Sequence, residues 1–348
     1  MTRTMNQTLG ILVRLGREPG GRRGRSAARF LAVVSALGVA GAASLGCDED
    51  FDPKSEIKTV RVIGVRADNP YPKPGDTVQF SMLWHDGGSP PDSPQPMQFL
   101  WIGGCFNPPG DLYYQCFPQL GELFQQAAID PPSVKDLIGF GETFSLQVPQ
   151  DLISRRPQAN GVDPYGLSYV FFALCAGELR PAEPGEDGLP IGCFGPDGTR
   201  LGADRFVPGY FSLYSFENRT NTNPVLLGLS INGVAIAPGD EPSLPRCRQD
   251  CPEFEIRALV DPASVEVAEG LTGPDGETLL EQMWVEYATT GGELERATRL
   301  VNDATKGFNE ENEATFKPPS EPGKVYVFAV VRDNRGGASW VKQGLLIE

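Results

Sequence analysis

From about residue 57 onward, apolar and polar residues alternate in short runs. Val78, Phe80, Met82 and Trp84 alternate with Gln79, Ser81 and His85, and Phe254, Ile256, Ala258 and Val260 alternate with Glu255 and Arg257. A period of two puts one set of side chains on a buried face and the other on a wetter one, which predicts strands. Turn chemistry punctuates the runs. Pro74-Gly75-Asp76 and Pro238-Gly239-Asp240 each precede one of these strands, and Gly195-Pro196-Asp197-Gly198 and Gly273-Pro274-Asp275-Gly276 have the same character. Proline presets φ and glycine accepts positive φ, so each is predicted to be a turn. A calcium role for these Asp residues is not expected, because no full ligand loop surrounds them. Helical periodicity is weak, and only Gly121–Asp130 suggests a short helix.

The strand pattern occurs twice. Val62-Ile63-Gly64-Val65-Arg66 precedes the first Pro-Gly-Asp, and Leu226-Leu227-Gly228-Leu229-Ser230 precedes the second. In order, Gln98–Ile102 then matches Glu281–Val285, each carrying a Trp (Trp101, Trp284), and Tyr169-Val170-Phe171 matches Tyr326-Val327-Phe328. Three matches in one order point to a duplicated domain. The fold class expected is all-β, two tandem immunoglobulin-like β-sandwiches, with Trp101 and Trp284 as core anchors. Residues 57–216 form the first domain, with insertions near 105–140 and 177–205, and residues 217–348 form the second. They join near Glu217–Pro224, a polar stretch that holds an Asn218-Arg219-Thr220 sequon.

Composition agrees with many turns: 41 Gly and 32 Pro in 348 residues, beside 40% hydrophobic residues, enough for real cores. Charge is distributed unevenly. Seven of the 30 basic residues and one of the 45 acidic ones precede Cys47, leaving 23 and 44 and a net charge of −21 from there on. A body that acidic repels nucleic acid, so no nucleic-acid partner is expected. The basic leader ends in the uncharged run Phe30–Gly46, followed by Cys47. Arginines, a short apolar stretch and then small residues form an export signal, expected over 1–46 with a short tether over 47–56. Ser44-Leu45-Gly46-Cys47 resembles the lipobox of bacterial lipoproteins, with Ser44 and Leu45 in the reverse of the usual order. The resemblance implies cleavage before Cys47 and a lipid anchor on that residue. Several acyl chains on one Cys suffice for stable membrane attachment.

Six further cysteines, Cys105, Cys116, Cys175, Cys193, Cys247 and Cys251, are an even set in an exported chain, so disulfides are expected. Local pairing at separations of 11, 18 and 4 is the simplest arrangement. A Cys105–Cys175 bridge is disfavoured because the two fall at opposite ends of neighbouring antiparallel strands. With His85 as the single histidine, read as an exposed turn residue, no metal site, catalytic residue or cofactor is expected. The expected function is an envelope-anchored, non-catalytic binding or structural module, facing the periplasm or the cell surface. Its partner would be a protein or glycan, met through the first-domain insertions. The alternatives are a carbohydrate- or calcium-dependent adhesin, and a carboxylate-based hydrolase.

Three segments carry a further resemblance: Arg61–Ala67 with Pro74-Gly75-Asp76, Asn223-Pro224-Val225-Leu226, and Val330–Gly337 (VVRDNRGG). Together they look like uncharacterised myxobacterial lipoproteins with Ig-like domains. That resemblance implies a fold and an envelope location, and no activity.

Overall fold

Alternation decides which face of each strand is buried, and the strands that alternate most cleanly line the two cores. The computed structural model describes residues 53–348 apart from 91, 92, 159, 160, 162 and 183–189. The leader, Cys47 and residues 47–52 of the expected tether therefore lie outside the described residues.

The first sandwich is built from β1 (Val60–Ala67), β2 (Thr77–Asp86), β3 (Gln98–Phe106), β4 (Ile138–Phe140), β5 (Thr143–Gln147), β6 (Tyr165–Cys175), the hairpin β7 (Glu178–Pro181) and β8 (Ile191–Phe194), and β9 (Phe206–Phe216). One sheet has the order β1-β2-β5 and the other β4-β3-β6-β9. Between them lie Val78, Phe80, Phe144, Leu146, Val170 and Leu213, around Trp101. Trp101 is fully buried, and its indole N–H donates to the Gly141 carbonyl at 2.9 Å, which satisfies its one polar atom.

The second sandwich repeats the plan. It comprises β10 (Leu226–Ile231), β11 (Val234–Ala235), β12 (Ser243–Leu244), β13 (Phe254–Val260), β14 (Val267–Thr272), β15 (Thr278–Leu280), β16 (Met283–Thr289), β17 (Glu293–Glu295), β18 (Thr298–Asp303), β19 (Gly307–Phe308), β20 (Ala314–Lys317), β21 (Gly323–Asp333) and β22 (Ala338–Ile347). Its sheets run β11-β10-β13-β20-β17 and β12-β22-β21-β16-β18-β19. The sequence β22-β21-β16-β18 reproduces β9-β6-β3-β4 of the first sandwich, strand for strand. Both opening strands shift register at the same place, before Gly64 and before Gly228. Both Pro-Gly-Asp turns close alike, with Asp76 N–H to Lys73 and Asp240 N–H to Ala237, each at 3.0 Å. Gly75 and Gly239 take φ of 93° and 88°, which a residue with a Cβ adopts only under strain. The chain is thus all-β, two tandem immunoglobulin-like sandwiches, with one α-helix, α1 (Phe117–Ile129), among the described residues.

One repeat match fails in detail. Trp284 is half-buried on the outer face of its sheet, while Met283, Val285 and Tyr287 fill the core. The counterpart of Trp101 is Tyr287. Trp101 pairs with Phe172, two residues after the core residue Val170, and Tyr287 pairs with Ala329, two after Val327. Matching the two tryptophans slips the strand by three residues, and an odd slip exchanges its faces. The Tyr287 hydroxyl accepts from the Ala258 N–H at 2.7 Å and donates to the Asn312 carbonyl at 2.9 Å.

The sandwiches are packed together within one compact unit, residues 52–348. Ile57 and Leu83 of the first bury against Ala288, Phe328 and Val330 of the second. This explains why the alternation of β2 ends at Leu83, which is buried on the opposite face from Met82. Arg332 donates to the Ile63 carbonyl at 2.9 Å, and the Arg66 guanidinium lies 4.6 Å from the Trp340 ring centroid. His85 corrects the reading of an exposed turn residue, because its ring packs at 5.5 Å against both Tyr326 and Phe328 in this joint. The described end of the expected tether is held too: Thr289 N–H donates to Ser55 and Ile57 N–H to Thr289.

The polar join is equally fixed. Asn221 is buried and donates to Asp333 at 3.2 Å. Asn223 donates to the Ala67 carbonyl at 2.8 Å and accepts from the Ala338 N–H at 2.9 Å. Of the segments on which the lipoprotein resemblance rests, Arg61–Ala67, Asn223–Leu226 and Val330–Gly337 therefore meet at this joint, while Pro74-Gly75-Asp76 turns against Val148 within the first sandwich.

Candidate functional site

Two disulfides hold the insertions onto the outer face of the β4-β3-β6-β9 sheet. Cys105 bonds Cys116, with Cα atoms 5.7 Å apart, and Cys175 bonds Cys193 at 5.6 Å. Cys105 pairs with Tyr169 whereas Cys175 pairs with Gln98, so the two cysteines lie at opposite ends of β3 and β6 and cannot meet. All four sulfurs are buried in a second apolar cluster with Leu100, Ile102, Leu120, Leu167 and Phe171. The third pair, Cys247–Cys251, closes a surface loop with Cα atoms 4.3 Å apart, which the intervening turn makes possible and an extended strand would not.

The first disulfide closes a loop that turns back on itself through left-handed residues, Asn107 at φ 48°, Gly110 at 64° and Asp111 at 58°. Asn and Asp tolerate that region better than other side chains, and each is held there by several bonds. Asn107 donates to Leu152 at 2.7 Å and accepts from Leu167 at 2.9 Å. Asp111 accepts both guanidinium nitrogens of Arg156, at 2.5 and 2.7 Å, and the Tyr165 hydroxyl at 2.6 Å, while its carbonyl accepts the Tyr169 hydroxyl at 2.7 Å. The Arg156 hydrogen bond holds the Asp111 carboxyl below its ordinary pKa, and the same carboxylate pushes the Tyr165 phenol up. The Arg156 guanidinium also lies over the Tyr165 ring, 4.0 Å from its centroid.

This frame collects tyrosines. The chain has nine, and six of them (113, 114, 165, 169, 210 and 214) lie on this one face. Tyr113 stacks on Tyr210 with centroids 4.4 Å apart, Tyr210 meets Tyr169 edge-on at 5.5 Å, and Tyr165 meets Tyr214 at 5.8 Å. Tyr165 and Tyr169 are tied down by Asp111. Tyr113, Tyr114, Tyr210 and Tyr214 remain exposed, Tyr114 at 46% and Tyr210 at 45%. Exposed large rings in a contiguous patch on a rigid sheet mark a contact surface. Tyrosine gives much contact area for little lost rotamer entropy, with a hydroxyl to satisfy polar partners.

The Cys105–Cys116 and Cys175–Cys193 bridges hold the insertions in place, and the first insertion carries Tyr113 and Tyr114. Tyr210 and Tyr214 come from β9, outside both insertions, and sequence reasoning missed them. The available signal was the run Tyr210-Phe211-Ser212-Leu213-Tyr214, in which Tyr210 and Tyr214 occupy the face opposite the core-facing Phe211 and Leu213. Trp284 and His85 are not part of the site. Among the described residues, no group of three or more His, Cys, Asp or Glu side chains is placed to hold a metal ion. Two of the turn carboxylates cap their own turns: Asp76 accepts the Lys73 N–H, and Asp197 accepts the N–H and hydroxyl of Thr199.

No family model and no curated protein matches the chain. Among solved structures it is similar to the D00-D0 domain of intimin, at 8% identity and a TM-score of 0.22 over 82% of this chain and 100% of that one. It is also similar to fibronectin(III)-like modules of CbhA from Clostridium thermocellum, at 8% identity and 0.19 over 82% and 93%. Latent PorU from Porphyromonas gingivalis follows at 12% and 0.19, over 83% of this chain and 24% of that one. At these scores the fold rests on the strand order described above, and function rests on the site.

Proposed function

We propose that the chain is an exported lipoprotein of the cell envelope, anchored through lipid on Cys47, that acts as a non-catalytic binding module and meets its partner through the tyrosine face. The observation that carries this reading is the gathering of six of the nine tyrosines on one disulfide-braced sheet face, four of them exposed. A structural role alone would need rings turned inward, as Tyr169 is. Tyr210 and Tyr214 project instead from β9, an edge strand of its sheet. The apolar signal run before Cys47 and the even set of six paired cysteines support an oxidising location outside the cytoplasm.

A glycan is a second reading for the same face, since sugar rings stack on exposed tyrosines and their hydroxyls bond phenols. Binding to isolated envelopes separates the two, with full-length Cys47→Ser protein added from outside so that the anchor plays no part. The Tyr210→Ser/Tyr214→Ser variant should lose retention while keeping its β-type circular dichroism. Protease treatment of the envelopes should abolish binding of a protein partner, and periodate that of a glycan. Retention unchanged in the double variant would overturn the proposal.

A further inference from the structure

We propose that the groove between α1, β4 and the β7–β8 hairpin binds a single-chain amphiphile with an anionic head, of the long-chain fatty acid type. The groove encloses about 460 Å³, within the roughly 300–1,000 Å³ usual for small-molecule sites. Its floor and walls are apolar: Leu100 from β3, Phe124 and Ala127 from α1, Ile138 and Phe140 from β4, and Leu179 from β7. Phe140 is 76% exposed on this lining, a large ring left in water that an acyl chain would cover.

Charge selects the head group. The protein carries 45 acidic against 30 basic residues, yet the only ionisable groups among the described lining residues are two cations, Lys135 and Arg180. Lys135 follows the last 3-10 turn of the insertion, and its side chain is exposed. The Arg180 guanidinium lies 4.3 Å from the Phe194 ring centroid and is ion-paired with Glu178 at 3.6 Å, which leaves Lys135 as the cation for a head group. An apolar trough whose only described ionisable lining groups are cations, inside an acidic protein, favours a tail in the trough and a carboxylate at Lys135. It disfavours a neutral or cationic amphiphile. This site is separate from the tyrosine face, and the two stand or fall independently.

Isothermal titration of the full-length Cys47→Ser chain, which carries no acyl group of its own, tests the proposal. The probes are dodecanoate, decanoate and dodecyltrimethylammonium, each below its micelle-forming concentration. Dodecanoate should bind one to one, and removing two methylenes should weaken it about fifteenfold, since each buried methylene changes affinity about fourfold. Ala127→Phe, which fills the groove from the helix, should abolish saturable binding with circular dichroism unchanged. Lys135→Glu sits on the surface and cannot disturb the core. It should weaken dodecanoate and strengthen the ammonium probe. Equal affinity for both head groups in the wild type, or dodecanoate affinity unmoved by either variant, would overturn the proposal, as would an absence of saturable binding.

Discussion

Arg335 supplies the sharpest energetic test of how the second sandwich is held at the joint. It lies in the β21–β22 turn with its side chain 10% exposed. Its guanidinium donates to Glu281 at 2.7 and 3.1 Å, bonds Glu266, and reaches the Thr220 carbonyl of the join at 3.4 Å. Glu281 is fully buried, and its other carboxyl oxygen accepts the Glu266 N–H at 3.0 Å. Burial pushes the Glu281 carboxyl above its ordinary pKa, with Arg335 opposing that rise. Arg335→Met keeps the aliphatic stem and removes the cation.

Two unit charges about 4 Å apart at an effective dielectric near 20 attract by about 4 kcal/mol. Breaking one partner of a buried pair costs about 3–5 kcal/mol. Glu281 can escape part of this by taking a proton, so a loss of about 3 kcal/mol at pH 7 is expected, against roughly 5–15 kcal/mol for a typical folded protein. Without Arg335 the folded-state pKa of Glu281 rises further above its unfolded value. A carboxyl raised in that way favours folding at low pH, and the benefit disappears as pH rises. The deficit of the variant should therefore narrow between pH 7 and pH 5. Urea denaturation of wild type and variant at both pH values measures it. A loss under 1 kcal/mol at pH 7, or one equal at the two pH values, would refute the reasoning. The double variant Glu281→Leu/Arg335→Met, with both charges gone, should recover most of the loss.

His85 in the joint is held at a pKa of about 4, chiefly by burial and then by Lys342, with Asp86 opposing. Because this lies below the ordinary 6.5, the wild type should lose stability as pH falls from 6.5 towards 4. His85→Phe keeps the ring contacts and cannot protonate, so urea midpoints of the two proteins should diverge in that window; parallel curves would contradict this. Removing the buried 175–193 bridge by paired Cys→Ser substitutions should cost about 3 kcal/mol, from the entropy of an 18-residue loop, read by denaturation. Labelling cells with a clickable fatty acid should mark the wild type and not Cys47→Ser; label retained on the variant would remove the anchor from the account.

What the sequence disclosed and what it hid follow from physical range. Strand faces and the Pro-Gly-Asp turns are set within a few residues and the cysteine pairs within 18, and each could be read locally. Tyr287 was hidden because its role as the core aromatic of β16 depends on a three-residue register that the nearby Trp284 obscures. His85 and Leu83 read as the fading end of an alternating strand, and only the second sandwich, from Ala288 to Val330, gives them a buried neighbour. The joint itself was half legible. Its three segments stood out as motifs, but that Asn223, Ala67 and Ala338 meet is a contact spanning more than a hundred residues. The tyrosine face was the least legible part, because it assembles from two strands and a disulfide-closed loop.

Site-specific photo-crosslinking in intact cells tests the central claim most directly. A photoreactive phenylalanine at Tyr210 or Tyr214 should capture one discrete partner. The same residue at Leu227, 67% exposed on the second sandwich, should capture none. Capture from Leu227 alone, or the same diffuse products from all three positions, would contradict the assignment of the tyrosine face as the binding surface.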